Sequence, residues 1–261
     1  MKQTASLVFF HSYADEHQWI EDAIRAEALP DQVLRVLEAG CGQRWFANLP
    51  DIKIHLTGVD QDAAALDIRK RVHADLDEAI LGDLMTVQLP SAAFDVAYNA
   101  FVLEHVQDPE RLLLNLVQWL KPGGLLVLRI PDRQSVKGFL THMTPHWFHV
   151  FYYRIYKKNP NAGKPGYMPY PTPFGKVVSR VGLHAFCQRN GLQIVAERAR
   201  CSQVDDKGLL YQSILQLGRL FSFGRLKAEY SDLSMLIRKP GGMQVLNAAR
   251  TSTPPARQPA A

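Results

Sequence analysis

Residues 33–60 read VLRVLEAGCGQRWFANLPDIKIHLTGVD, and the fold of the chain is decided there. Val33, Leu34, Val36 and Leu37 make a short apolar run broken only by Arg35, as in a strand covered on both faces. Gly40 and Gly42 follow at once, where a backbone must turn tightly and come close to a ligand. A short helix at best is expected over 43–49, closed by Pro50 and Asp51. Its exposed amide groups would favour an anionic ligand, while Trp45 and Phe46 read as packing residues. A second strand over about Ile54–Val59 ends at Asp60, near the spacing at which an acid meets a ribose diol. Strand, glycine turn, strand and acid, in that order, point to a ligand that contains adenosine.

The rest of the chain repeats the alternation. LVFF at 7–10 is read as a docking arm or part of a cap. A helix is expected over Ala14–Leu29, with Trp19, Ala23, Ala26 and Leu29 inward and Glu16, Glu21 and Arg25 in water. Asp62 caps a helix to about Arg71, and a strand at Glu78–Asp83 leads to Asp83, at home either as a functional strand-end acid or as a turn cap. A strand near Phe94–Ala97 precedes a polar loop at Tyr98 and Asn99. Pro109 opens a helix that Lys121-Pro-Gly-Gly124 stops, and Leu125–Ile130 forms a fifth strand. Alternating strands and helices with crossovers of this length imply a parallel sheet. The run 132–180 breaks the pattern with crowded aromatics and prolines, including an expected helix near Trp147–Lys157. A helix at Ser179–Arg189, a strand from Leu192, a helix over Leu209–Phe223 and a strand at Leu233–Ile237 complete the sheet.

Composition narrows the function classes. Cys41, Cys187 and Cys201 are too few and scattered for a disulfide framework and form no CxxC pair, so no metal is expected. No signal-peptide pattern and no apolar stretch of bilayer length is present, and a cytoplasmic setting is the expectation. Residues 1–128 hold 10 basic and 19 acidic side chains, and residues 129–261 hold 20 and 6, so the net +5 is the sum of −9 and +14. The basic half suits an anionic acceptor or a membrane surface, or is simply a solvated face.

VLEAGCGQ at 36–43, GVDQD at 58–62, GDLMTVQLP at 82–90, FDVAYNAFVLEHV at 94–106, LKPGGLLVLRIP at 120–131 and YSDLSMLIRKP at 230–240 together resemble the class I S-adenosylmethionine-dependent methyltransferases, closest to the broad small-molecule group. The resemblance covers most of residues 30–240. It implies an α/β, Rossmann-like sheet with helices on both faces and a helical, aromatic cap. It implies S-adenosyl-L-methionine as cofactor, bound by Glu38, Gly40, Gly42, Asp60, Gln61, Asp83, Leu84, Asn99 and Ala100. Arg44 stands where the family's third glycine would be. Expected segments are an N-terminal helical cap at 1–29, a cofactor-binding core at 30–131, an acceptor lid at 132–180, completion of the core at 181–240 and a flexible tail at 241–261. His142–Tyr156 is expected to close over the acceptor, with His146 as first choice for the base and His142 and His149 as alternatives. The expected reaction is methyl transfer to a small organic, anionic acceptor at oxygen. A nucleic-acid methyltransferase and a noncatalytic cofactor-binding protein are the competing readings. No obligatory nucleic acid is expected, and oligomerisation is left open.

Overall fold

The computed structural model describes residues 7–156, 158–164, 169–173, 175–205 and 208–241. The expected tail beyond 241 lies outside them. The strands are β1 (Val8–Phe10), β2 (Leu34–Ala39), β3 (Ile54–Asp60), β4 (Glu78–Leu81), β5 (Phe94–Ala100), β6 (Leu120–Pro131), β7 (Gln193–Cys201) and β8 (Tyr230–Arg238). The helices are α1 (Tyr13–Arg25), α2 (Ala63–Ile68), α3 (Pro109–Trp119), α4 (Val136–Met143), α5 (His146–Ile155), α6 (Arg180–Arg189), α7 (Ser202–Asp205) and α8 (Leu209–Phe221). One sheet runs in the order β1-β7-β8-β6-β5-β2-β3-β4. Among the described strands only β8 is antiparallel to its neighbours, β6 and β7. β2 pairs with β3 on one side and β5 on the other, so the strand order reverses at β2. A crevice opens at the carboxyl ends of the strands at such a reversal.

Alternate strand residues feed two apolar layers. Val36, Val96, Leu125 and Val127 pack with Ile20 and Ile24 of α1. Their neighbours Leu37, Ala97, Leu126 and Leu128 pack with Leu112, Leu116 and Trp119 of α3 and Phe186 of α6. α3 starts as its sequence dictates, with Pro109 in its first turn and the Asp108 carboxylate accepting the Arg111 amide.

Three expectations need correction. LVFF is neither arm nor cap: Val8–Phe10 pairs with Arg198–Arg200 and becomes the edge strand. Residues 43–49 form no helix. Trp45 and Phe46 instead pack on Tyr98, at 5.5 and 4.9 Å between ring centroids, and hold the segment as an extended loop. The buried residues of α1 are Glu16, Ile20 and Ile24, with Trp19 and Ala23 packed beside them as expected, while Leu29 is exposed beyond the helix end. Glu16 leaves water because its carboxylate accepts from Arg129 (2.8 and 3.1 Å) and from the Ser234 hydroxyl (2.6 Å). A carboxylate can be buried when charged partners answer it.

Candidate functional site

The carboxyl ends of β2, β3 and β5 converge on the glycine turn. Gly40 has φ +75°, and a Cβ there would stand 2.4 Å from Val102 Cγ2, so glycine alone fits. The Gly40 and Cys41 amides donate to Val59 O at 2.8 and 3.1 Å. Asp60, at the end of β3, reaches back: one carboxylate oxygen accepts the Gly42 amide (2.8 Å) and the other the Asp62 amide (2.9 Å). Each oxygen keeps a second lone pair for a ligand hydroxyl. Asn99 is fully buried, and its Nδ2 donates to Ala39 O at 2.9 Å, joining β5 to β2 across the strand reversal. Its Oδ1 has no partner. Ala100 is half-buried beside it, and Gln61 is exposed.

Glu38 is buried at the end of β2, with Oε2 2.9 Å from Arg69 Nη1. Burial pushes its carboxyl up to about 8, against the pull of the guanidinium. Arg69 itself is fully buried. Its Nη1 donates to Cys41 O (2.9 Å) and its Nε to Asp75 (2.7 Å), so one cation underpins the glycine loop. Sequence reading missed it. The signal was a charge three positions after Leu66, on the inward stripe of a helix.

Asp83 sits just past β4, exposed, with its carboxylate accepting the Met85 amide at 2.8 Å. It therefore serves as a turn cap whatever else it contacts. Leu84 is buried, and its carbonyl accepts from Asn115 at 3.0 Å.

After β5 the chain makes a tight turn over Leu103–His105. Phe101 enters it at φ +57°, a strained conformation for a bulky residue, with its ring 5.0 Å from the Arg129 guanidinium. Glu104 is buried, its Oε2 has no partner, and burial pushes its carboxyl up to about 8. His105 Nδ1 is 2.9 Å from Pro171 O. A carbonyl only accepts, so Nδ1 carries the proton and Nε2 presents a lone pair, 3.9 Å from Glu104 Oε1. Burial lowers the His105 pKa and keeps the ring neutral. Tyr170 stands edge-on to His105, with ring centroids 5.7 Å apart. Burial, then the charges of Asp62 and Asp60, push its hydroxyl up. Among the described residues of the 132–180 insert, Tyr170 and Pro171 reach His105.

The three histidines chosen from sequence stand on α4 and α5. His142 Nε2 is 3.0 Å from an Arg133 guanidinium, which can only donate, so that lone pair is taken. His149 Nε2 faces Thr141 O, Thr144 O and the Thr144 hydroxyl at 2.8–3.2 Å and staples α4 to α5. His146 begins α5, a helix with no buried residue. Among the described residues no group of His, Cys, Asp or Glu side chains gathers as for a metal. None of the described helices is long and apolar enough to cross a membrane.

A parallel Rossmann-like sheet with one antiparallel strand, a glycine turn at its reversal and an acid at the next strand end defines a class of nucleotide-cofactor folds. Residues 10–197 match the profile of a family described as "Methyltransferase domain", and the chain belongs to that family. It is similar to a "Ubiquinone biosynthesis O-methyltransferase" of Maricaulis maris, 32% identical over 126 residues, 45% of this chain and 48% of that one. A protein of the same name from Cereibacter sphaeroides is 38% identical over 124 residues, 46% and 50% of the two chains. The chain thus spans about half the length of these curated relatives. A SAM-dependent methyltransferase structure from Methanosarcina mazei shares the fold, at TM-score 0.51 and 15% identity over 84% of this chain and 97% of that one. S-Adenosyl-L-methionine is the cofactor of this class.

Proposed function

We propose that the protein transfers the methyl group of S-adenosyl-L-methionine to an oxygen of a small organic acceptor, with His105 as the base. The cofactor, when bound, supplies an electrophilic methyl on a positively charged sulfur. The residues of the crevice suit it. The unpartnered Asn99 Oδ1 at the strand reversal is an acceptor without a donor, and Gly40 keeps the turn free of a side chain. Asp60 offers its remaining lone pairs to a ribose diol. Glu38 and Gly42 shape the same turn; Gln61, Asp83 and Leu84 would serve the adenosine, and Ala100, beside Asn99, the methionine end. Asp83 can turn its free carboxylate oxygen outward while its partner oxygen caps the turn.

The observation that carries the reading is the fixed tautomer of His105 beside Glu104. Nε2 is poised to take a proton from an acceptor hydroxyl, with Glu104 Oε1 3.9 Å away and Glu104 Oε2 without a hydrogen-bond partner. An acceptor hydroxyl needs such a base, whereas an amine or sulfide does not. The curated relatives named O-methyltransferases support oxygen as the target. An anionic acceptor fits the +14 of the second half. Cytoplasmic work belongs to the same proposal, since all three cysteines are free thiols.

Incubation with labelled S-adenosylmethionine and a small-molecule extract, followed by mass identification of the product, tests the activity. With the acceptor in hand, His105→Gln should slow single-turnover transfer about 100-fold and leave cofactor affinity unchanged. Asp60→Asn should weaken cofactor binding by about 1.5–3 kcal/mol in calorimetric titration. Full activity in His105→Gln, with loss in His146→Gln, would return the base to α5.

A further inference from the structure

We propose that the cap, through the outer faces of α8 and α5, docks on the surface of an anionic phospholipid bilayer. The proposal stands apart from the methyl-transfer reading, and its test needs no cofactor.

Charge is the first argument. The 64 residues 133–196 contain nine Lys or Arg and not one Asp or Glu. Residues 207–228 repeat this with four Lys or Arg and no acid. Arg180, Arg189 and Arg219 meet Glu197, Glu110 and Glu229 from outside these runs, and the balance that remains is basic. Lys158, Arg225 and Lys227 are exposed within it.

Apolar exposure is the second. α8 buries Leu215 against Val136 of α4, and Gly218 lies close on Val136, where a Cβ would meet Cγ1 at 2.6 Å. Tyr211 packs on the same cluster, whereas Leu209, Ile214, Leu217, Leu220 and Phe221 are exposed. α5 buries none of its residues, and Trp147 is 67% exposed. Both helices therefore carry an apolar face with basic neighbours, the composition of helices that lie in a membrane interface.

Phe223 is the third. It has φ +54° and is 92% exposed. Glycine or asparagine suits that conformation, whereas a bulky residue is strained there. The ring, in water, gains nothing from the strain. It borders a shallow hollow of about 350 Å³ shared with Leu220 and Arg219, where an acyl chain and its phosphate would meet apolar and cationic groups together.

A bilayer fits better than the other possible occupants. Single-stranded nucleic acid would use the aromatics of α5, but leucines such as Leu209, Leu217 and Leu220 offer no stacking platform for bases. A second copy of the chain would press one net-basic face on another, and like charges repel.

Flotation of the full chain tests this, using phosphatidylcholine vesicles with and without about one-third phosphatidylglycerol. Anionic vesicles should be bound at least about tenfold more tightly than neutral ones, and less so in high salt. Leu220→Glu combined with Phe223→Glu should abolish binding, with unchanged circular dichroism. Arg225→Glu combined with Lys227→Glu should remove most of the preference for anionic vesicles. Trp147→Glu, on a helix that buries nothing, is the independent check and should weaken binding. Equal binding to both vesicle types, or undiminished binding in the Leu220/Phe223 and Trp147 variants, would overturn the proposal. So would tighter binding to single-stranded RNA than to vesicles, or a dimer in light scattering that the Leu220/Phe223 pair disrupts.

Discussion

The core strands and the cap treat charge in opposite ways. Around the β2–β5 crevice, acids are answered from within the chain: Glu38 by Arg69, Asp60 by two backbone amides, Glu16 by Arg129 and Ser234. In the cap, residues 133–180 hold eight Lys or Arg and no Asp or Glu, and α5 buries none of its residues. The first region is finished by its own contacts and can hold a small ligand in a fixed place. The second is finished only against another surface. The difference teaches that pre-organisation and docking have been assigned to separate parts of one chain.

The contrast can be broken at its core end first. Arg69→Met would leave Glu38 and Asp75 without their cation and the Cys41 carbonyl without its donor. Removing one partner of a buried pair costs about 3–5 kcal/mol, to be read from urea unfolding. A loss below about 1 kcal/mol would mean that the loop does not depend on internal charge.

Glu104 is the exception inside the core, a buried carboxyl with no cation beside it, and pH exposes it. Its folded-state pKa of about 8 lies above its ordinary value of 4.5, so the folded state holds an extra proton between those limits. Stability from this group is full below pH 4.5 and is lost as pH rises toward about 8, with a slope of at most about 1.4 kcal/mol per pH unit. Glu104→Gln should remove that slope from thermal melts. An identical pH dependence in the variant would show the carboxyl to be solvated.

The smallest effect sharpens the cap end. Phe223→Gly should relieve the left-handed strain and raise stability by about 1 kcal/mol. Vesicle binding should fall in the same variant. Loss of stability instead would show that the ring packs within the chain.

Much of the sheet was legible because parallel strands buried on both faces are written as apolar runs, as in Leu34–Leu37 and Leu125–Ile130. The acid after β3 and the glycine turn were legible because both are local. Arg69, Glu104 and His105 were not, since their meaning comes from partners that only folding supplies. His105 is fixed by Pro171, 66 positions away. Glu16 looked like a surface residue because its partners Arg129 and Ser234 lie 113 and 218 positions further on. His146 and its neighbours attracted notice through an aromatic setting, which marks an exposed helix as readily as a site. β1 was hidden by its length of three residues, too short for any periodicity.

The place of β8 sets a timetable for the nascent chain. It is the last of the described strands to be made, yet it lies between β6 and β7. Until residues 230–238 leave the ribosome, β6 and β7 have no partner on their facing edges, and β1 can dock only on an unanchored β7. At about 5–20 residues per second, the roughly 100 residues between the end of β6 and β8 take several seconds to make. Chains stalled near residue 228 should therefore remain open to protease and prone to edge pairing, whereas chains released past Arg238 should become protected. Protection already present in the stalled chains would show that the first five core strands stand without their late companion.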